Sequence, residues 1–210
     1  MHNIVNCFLE ENMTTRYILG GGYTSKAADG GTSFYQTIVG GRKCAKILIC
    51  AFAVEADEYE SNFINYKNRI VSANPEANLV FQNADPKFFA SQIDWADIIV
   101  YLGGQSSRLM GTLRNIPNWH SRDLHGKTVV GSSAGAYMLS SAYVLTQEKP
   151  GIAAGYNFVP AIVVAHYRKD EKRESDRNYW NKVDIMMQSA ADDFCKVYKL
   201  REGEFVEHIV

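Results

Sequence analysis

The sequence predicts an α/β fold with a three-layer, doubly wound and mostly parallel sheet. Short runs of continuous apolar residues alternate with amphipathic segments, which is typical of parallel strands buried on both faces. Glycine-rich turns follow several of these runs, at the strand ends where ligands collect in such sheets. The length of 210 residues suits one domain. We therefore expect a single domain over residues 15–210, preceded by a short extension over residues 1–14 in which Met13 offers a second start.

Five strands are expected between residues 17 and 130. They cover residues 17–19, 45–51, 78–82, 98–102 and 128–130. Helical spacing of apolar residues predicts helices over 59–73 and 109–116, and Asp85-Pro86 is typical of a helix start. A later apolar run, 161–165, reads as a strand that ends at His166. Residues 196–200 and 205–209 flank the turn sequence 201–204, which predicts a C-terminal β-hairpin.

Composition excludes several functions. A net charge of -1 and a pI near 6.5 supply no general field for binding nucleic acid. The longest apolar runs are too short to cross a bilayer, and the N-terminus has no secretory pattern. Four cysteines without CxxC spacing predict buried, reduced thiols: Cys7, Cys44, Cys50 and Cys195. We expect a cytoplasmic protein without nucleic-acid or membrane partners.

The sequence from Gly131 to Ala136 has the strongest chemical signal. It fits the G-x-S-x-G nucleophile elbow, placed between an apolar strand and a helix expected over 135–141. Ser133 would stand on the tight turn, where side chains at the two glycine positions would collide. The N–H of Ala134 would face a developing oxyanion at the helix start. The alternative is a turn of small residues that packs a helix onto the sheet.

A serine nucleophile requires a base, and the base requires an orienting group. Five histidines are available: His2, His120, His125, His166 and His208. His166 is the best candidate because it follows a strand at its carboxyl end, whereas His120 and His125 precede the strand that leads to Ser133. The acid stays open among Glu148, Asp170, Glu171 and Asp176. Gly103-Gly104, after the strand 98–102, could supply a second oxyanion donor, although a plain turn explains them equally well.

The other motifs in the sequence do not support a specific function. Gly126-Lys127-Thr128 resembles the end of a P-loop, but position 121 is serine where that motif needs glycine. The triplet 20–22 lacks the third glycine of G-x-G-x-x-G, since position 25 is serine. Cysteines and histidines form no metal-binding pattern. The charged stretch 168–177 is typical of a solvated loop or helix start, and one of its arginines could contact an anionic substrate.

These motifs together resemble the peptidase E and cyanophycinase family of serine peptidases, whose fold is like that of class I glutamine amidotransferases (flavodoxin-like). The matching segments are 97–104, 131–136, 155–160 and 163–167. The resemblance implies a triad of Ser133 as nucleophile, His166 as base and Glu148 as orienting acid. It also implies an oxyanion hole from Ala134 with Gly103 or Gly104. Arg177, or its rival Arg173, would hold an acidic substrate side chain.

The sequence departs from the family at the expected pocket. Ser132 stands where peptidase E has Trp, Gln105 where many members have Gly or Asp, and Ala165 where Pro is common. We expect a serine hydrolase acting on small peptides, with Asp-X dipeptides as candidates, that needs no metal or organic cofactor. It would act as a monomer or homodimer. Alternatives are a non-catalytic ligand-binding or sensor module on the same scaffold, and another acyl hydrolase such as an esterase or amidase.

Overall fold

The computed structural model describes residues 14–145, 150–169, 174–191 and 196–210. Its strands are β1 (Arg16–Gly20), β2 (Cys44–Cys50), β3 (Asn78–Asn83), β4 (Ile98–Tyr101), β5 (Thr128–Ser132), β6 (Ser140–Leu145), β7 (Gly151–Ala154), β8 (Val159–Val164), β9 (Lys196–Lys199) and β10 (Phe205–Ile209). Its α-helices are α1 (Thr32–Val39), α2 (Tyr59–Ala73), α3 (Phe89–Trp95), α4 (Ser106–Arg114), α5 (Ala134–Leu139) and α6 (Glu174–Ala190).

A six-stranded sheet carries the strands expected from the first part of the sequence. Its order is β10-β1-β5-β4-β2-β3, with β1 to β5 mutually parallel and β10 antiparallel to β1. In the register of β1 and β5, Gly20 pairs with Ser132. The ends of these two strands therefore lie side by side. This arrangement confirms the prediction of a doubly wound, mostly parallel sheet.

Both faces of this sheet are buried, which explains its continuous apolar strands. On β2, Ile47 and Ile49 pack towards one side, in a cluster with residues of α1 and α2. Leu48 and Cys50 point to the other side, in a cluster with residues of α3, α4, α5 and the second sheet. Because successive side chains of a strand alternate between faces, consecutive positions of a doubly covered strand are apolar, as they are from Ile47 to Cys50.

A second sheet of four strands has the order β7-β6-β8-β9. Strands β6, β8 and β9 run parallel, and β7 is antiparallel to β6. One face shares the core with the six-stranded sheet, through residues such as Tyr143 and Val163. Helix α6 covers the other face with Trp180, Val183 and Met187. The sequence indicated β8 and β9 but not that they belong to a separate sheet.

The predicted C-terminal β-hairpin is wrong. Strand β9 pairs with β8 in the four-stranded sheet, whereas β10 pairs with β1 in the six-stranded sheet. The two segments have strand-like composition, but a local pattern does not specify which strand will be the partner. The turn over residues 201–204 consequently passes from one sheet to the other. It reaches the glycine turn after β1, where the Gly21 N–H donates to the Glu204 carbonyl at 2.9 Å.

Two expectations from composition can be compared with the described residues. Cys50 is buried and Cys44 is exposed, so the expectation of buried thiols is wrong for Cys44, which begins β2 at its outer end. Cys7 and Cys195 lie outside the described residues. Within the ranges that the structure describes, no helix has the length and apolar character required to cross a membrane.

Candidate active site

Ser133 occupies a strained turn between β5 and α5. Its φ of 52° and ψ of -109° are unusual for a residue with a side chain. The Ser133 N–H donates to the Gly20 carbonyl at 2.9 Å, and its carbonyl accepts from the Tyr137 N–H at 3.0 Å. The strand on one side and the helix on the other therefore hold the serine in this conformation.

Glycines on both sides of Ser133 permit the turn. A Cβ atom added to Gly131 would lie 2.4 Å from the carbonyl of Gly135. A Cβ atom added to Gly135 would lie 2.3 Å from the carbonyl oxygen of Tyr101, on β4. Such distances are far below ordinary contact, so both positions require glycine for steric reasons.

His166 comes from the second sheet, directly after β8, and meets Ser133 across the boundary between the sheets. The distance from Ser133 Oγ to His166 Nε2 is 2.9 Å. His166 also has a positive φ, 54°, and its N–H donates to the Gly21 carbonyl at 3.0 Å. The imidazole is thereby anchored to the turn after β1, beside the end of β5. This geometry agrees with the expected serine–base contact.

The carboxylate at the other ring nitrogen belongs to Glu202, which the sequence analysis did not propose. His166 Nδ1 lies 3.0 Å from Glu202 Oε1, and the second carboxylate oxygen is paired with Lys26. A carboxylate only accepts hydrogen bonds, so Nδ1 carries the proton and Nε2 is free to accept from the Ser133 hydroxyl. Both side chains are largely buried, with 16% of His166 and 11% of Glu202 exposed.

The sequence-based candidates for the acid are placed differently. Glu148, Asp170 and Glu171 lie outside the described residues. Asp176 lies on α6, and His166 Nδ1 donates its hydrogen bond to Glu202 instead. A usable signal was present in the sequence: Glu202 follows a predicted strand at its carboxyl end, as His166 does. The predicted β-hairpin obscured this signal, because the turn of a hairpin is not expected to lie near the carboxyl ends of the other strands.

Electrostatics favour the neutral base and the ionised acid. Burial lowers the pKa of His166 below its ordinary value, and this effect exceeds the opposing influence of Glu202. Burial would raise the pKa of Glu202, but hydrogen bonds from Lys26 and His166 outweigh it and lower the pKa. At neutral pH the pair is therefore a neutral imidazole beside a carboxylate, which is the state needed for proton abstraction from a serine.

The glycine triplet 20–22 makes room for this pair. A Cβ atom on Gly22 would lie 2.4 Å from His166 Cε1, inside the imidazole. A Cβ atom on Gly21 would lie 2.1 Å from the carbonyl oxygen of Arg201, next to Glu202. The triplet lacks the third glycine of a nucleotide-binding motif. Its role here is to let the histidine and the acid approach the serine closely.

A cleft of about 530 Å³ opens over Ser133 and His166. Gly103 and Gly104 line it, and a Cβ atom on Gly103 would lie 3.2 Å from Ser133 Cβ. In the described part of the chain, the N–H groups of Gly103, Gly104 and Ala134 have no hydrogen-bond acceptor. Gly103 and Gly104 line the cleft, so their N–H groups are available to a ligand near the serine. Ala134 does not line it but is the first residue of α5, where N–H groups are unpaired by geometry.

The expected substrate-binding residues are scattered. Ser132 lines the cleft and is buried. Gln105 is exposed and does not line it, and its side chain accepts a hydrogen bond from Arg108 at 3.3 Å. Arg177 is exposed on α6 and also lies outside the lining, and Arg173 is outside the described residues.

The charged stretch after His166 has a structural role at its start. Arg168 Nη2 lies 3.2 Å from Asp184 Oδ2 on α6, and the Tyr167 hydroxyl donates to the same carboxylate at 3.0 Å. Lys199 of β9 also pairs with Asp184. This network ties the segment that carries His166 to α6 and β9. Among the described residues, no group of three or more His, Cys, Asp or Glu side chains could hold a metal ion.

A serine hydroxyl, an imidazole and a carboxylate joined by hydrogen bonds on a doubly wound α/β scaffold is the arrangement found in serine hydrolases. Sequence comparison identifies the family: the chain belongs to Peptidase family S51, whose profile matches residues 52–209. The expected relationship to the peptidase E family is thereby confirmed. No curated protein sequence matched the chain.

Two solved structures are similar in fold. A candidate peptidase E from Listeria monocytogenes EGD-e has a TM-score of 0.62 and 12% sequence identity, over 94% of this chain and 97% of that one. A peptidase from an acI-B1 Actinobacterium has a TM-score of 0.55 and 21% identity, over 80% of this chain and 76% of that one. At these identities the likeness establishes a shared fold.

Proposed function

We propose that this protein is a serine peptidase that hydrolyses small peptides through a triad of Ser133, His166 and Glu202. One observation carries the proposal: the row of hydrogen bonds from Ser133 Oγ to His166 Nε2, at 2.9 Å, and from His166 Nδ1 to Glu202, at 3.0 Å. Membership of Peptidase family S51 supports peptide hydrolysis as the activity. From the family resemblance, Asp-X dipeptides are the candidate substrates.

In the first step, Ser133 Oγ attacks the carbonyl carbon of the scissile peptide bond while His166 Nε2 takes the hydroxyl proton. The carbonyl π electrons move to oxygen and form a tetrahedral oxyanion. The N–H of Ala134, with that of Gly103 or Gly104, would stabilise this oxyanion. Glu202 stabilises the imidazolium that forms and holds the ring in the productive tautomer.

In the second step, the imidazolium gives its proton to the leaving nitrogen, the C–N bond breaks, and an acyl ester on Ser133 remains. Water then attacks the ester while His166 again takes a proton. Collapse of the second tetrahedral intermediate returns a proton to Ser133 Oγ and releases the acid product. The neutral imidazole at the start of each half-reaction is favoured by the lowered pKa of His166.

Glu202 takes the place of Glu148 as the proposed orienting acid. The reason is positional: the Glu202 carboxylate lies at hydrogen-bond distance from Nδ1 and is held there by Lys26 on its other oxygen. A carboxylate clamped between a cation and an imidazole has little freedom to rotate away. That rigidity is what the orienting role demands.

The test combines a fluorophosphonate label with a panel of Asp-X, Glu-X and neutral dipeptides and simple esters. We expect the label to attach to the wild type and to Ser91→Ala, an exposed serine of α3, but not to Ser133→Ala. Peptide hydrolysis should disappear with the label. A folded wild type that is not labelled would instead indicate a ligand-binding module, and labelling with turnover of esters alone would indicate an esterase.

A further inference from the structure

The wall of the cleft opposite the strand ends is formed by one face of α2. Asn62, Asn65, Tyr66 and Arg69 all line the cleft. Their spacing of i, i+3, i+4 and i+7 places them on one side of the helix. The sequence predicts α2 as a helix but does not indicate that these residues face the cleft.

Arg69 supplies the charge of this cleft. Among the described residues that line it there is no Asp or Glu, and the other ionisable cation, His166, is neutral when it acts as the base. A neighbouring depression of about 410 Å³ shares Arg69 and Asn65 with the cleft, and no carboxylate lines it either. Arg69 is therefore the charged side chain among the described residues that line the cleft while His166 is neutral.

The guanidinium of Arg69 is not committed to a partner in the described part of the chain. The residues three and four positions away on α2 are Asn65, Tyr66, Ser72 and Ala73, so the helix offers no carboxylate at these positions. Other arginines near the site are paired: Arg108 with Glu55, and Arg168 with Asp184. Arg69 forms no ion pair with any described residue.

Tyr66 adds an unpaired donor beside Arg69. Its hydroxyl is buried and has no hydrogen-bond partner among the described residues. Burial raises the pKa of Tyr66 well above its ordinary value, nearby Tyr35 adds to this, and Arg69 acts in the opposite direction. The hydroxyl thus stays protonated. Arg69 is exposed at the cleft, so its guanidinium is placed to pair with an acidic group of a ligand there.

We propose that Arg69 is the residue that binds a carboxylate of the substrate, so that selectivity for anionic peptides resides on α2. The inference rests on the proposed peptidase function. A guanidinium can bind a carboxylate with two parallel hydrogen bonds, which fixes orientation as well as charge. This assignment replaces Arg177 and Arg173 of the sequence analysis as the proposed anion-binding group.

The size of the cleft limits which carboxylate can reach Arg69. A volume of 530 Å³ corresponds to a sphere roughly 10 Å across, and two extended residues span about 7 Å. A carboxylate one or two residues from the scissile bond can therefore reach Arg69 within the cleft. An acidic side chain and the C-terminal carboxylate of a dipeptide both satisfy this condition.

Four dipeptides separate the two sources: Asp-Leu, Asn-Leu and the C-terminal amide of each. We expect the wild type to prefer a carboxylate over the corresponding amide either at the first side chain or at the C-terminus. The preference is measured as kcat/KM for the carboxylate peptide divided by kcat/KM for the amide peptide. In Arg69→Met this ratio should fall by about 10–100-fold, the range for losing a hydrogen bond to a charged group. Arg69→Lys should keep part of it, since lysine retains the charge without the planar fork.

Arg114→Met is the matched control, because Arg114 is an exposed arginine at the end of α4 and outside the cleft lining. It should preserve the ratio. Arg177→Met tests the rival: loss of the ratio there, with Arg69→Met unaffected, overturns the proposal. A wild type that does not distinguish carboxylate from amide overturns it as well. Thermal unfolding of each variant establishes that it is folded. If Arg69→Met is not folded, the kcat/KM ratio measured for Arg69→Lys decides the proposal.

Failure of the peptidase proposal is detected separately. If the folded wild type hydrolyses none of the four peptides, the proposed function is wrong. The Arg69 proposal is then decided by calorimetric binding of the same peptides to Ser133→Ala and to Ser133→Ala with Arg69→Met. Weaker binding of the carboxylate peptides in the double variant supports it, and equal binding overturns it.

Discussion

Glu202 accepts a hydrogen bond from His166 across 36 residues of sequence, with 3.0 Å between Oε1 and Nδ1. The histidine follows a strand of the four-stranded sheet, and the glutamate lies on the turn that crosses from that sheet to the other. The contact thus depends on how β9 and β10 diverge. Single substitutions can therefore test which residue is the triad acid.

Glu202→Gln should lower kcat/KM for peptide hydrolysis by up to about 10⁴-fold, since an amide no longer stabilises the imidazolium or enforces the Nδ1–H tautomer. Steady-state kinetics measure this effect. Glu204→Gln, on the same turn, is the matched control because Glu204 accepts from the Arg201 N–H and not from the histidine. A large loss in Glu148→Gln, with Glu202→Gln active, would return the role to Glu148.

The rate of fluorophosphonate labelling should fall in acid with an apparent pKa below 6.5. Burial lowers the pKa of His166, so the base stays neutral to lower pH than a free imidazole does. The same shift affects stability: the unfolded chain binds the proton first, so stability is lost as the pH falls from about 6.5 through the folded-state pKa. A pH–rate profile with its midpoint above 6.5 would contradict this prediction.

Lys26→Met should move that acid limb to higher pH. Lys26 lowers the pKa of His166 through its charge, and its hydrogen bond lowers the pKa of Glu202, so its removal should raise both. The loss of rate at neutral pH should stay below about 10-fold, because the Lys26 side chain is 61% exposed and solvent screens its charge. Lys43→Met, an exposed lysine before β2, should leave the profile in place.

Gly22→Ala should reduce the labelling rate by at least about 10²-fold, because a 1 Å displacement of a reacting group has an effect of that size. The new Cβ would meet the imidazole of His166 at 2.4 Å. Gly41→Ala is the control: Gly41 also has a positive φ, 74°, but nothing lies within 4 Å of an added Cβ. Chemical denaturation should show a similar backbone cost of about 1–3 kcal/mol in both variants, with loss of labelling in Gly22→Ala alone.

Elements that depend on local sequence were predictable. The helix expected over residues 59–73 has those bounds in the structure, and the strands expected near residues 17, 45, 78, 98 and 128 all form. The turn at Ser133 was equally accessible, because its two glycines, its strand and its helix are neighbours in the sequence. His166 could be chosen from five histidines since only its position follows an apolar strand near the carboxyl edge.

Contacts between distant segments were not predictable. The strand-like composition of residues 196–200 and 205–209 is compatible with a hairpin and equally with strands of two different sheets. The same limit applies to Arg69: its helix was visible, but the cleft that it faces exists only once α2 is packed beside the strand ends.

The sequence by itself determined the doubly wound α/β fold, the nucleophile turn at Ser133 and the candidate base, because apolar periodicity and glycine spacing act over a few neighbouring residues. The tertiary structure alone decided that Glu202 meets His166, that Gly21 and Gly22 make room for them, and that Arg69 faces the cleft. Those relationships depend on which strands pair and how closely loops approach one another. Such long-range contacts are settled by burial and hydrogen bonding across the whole chain, and no local pattern specifies them.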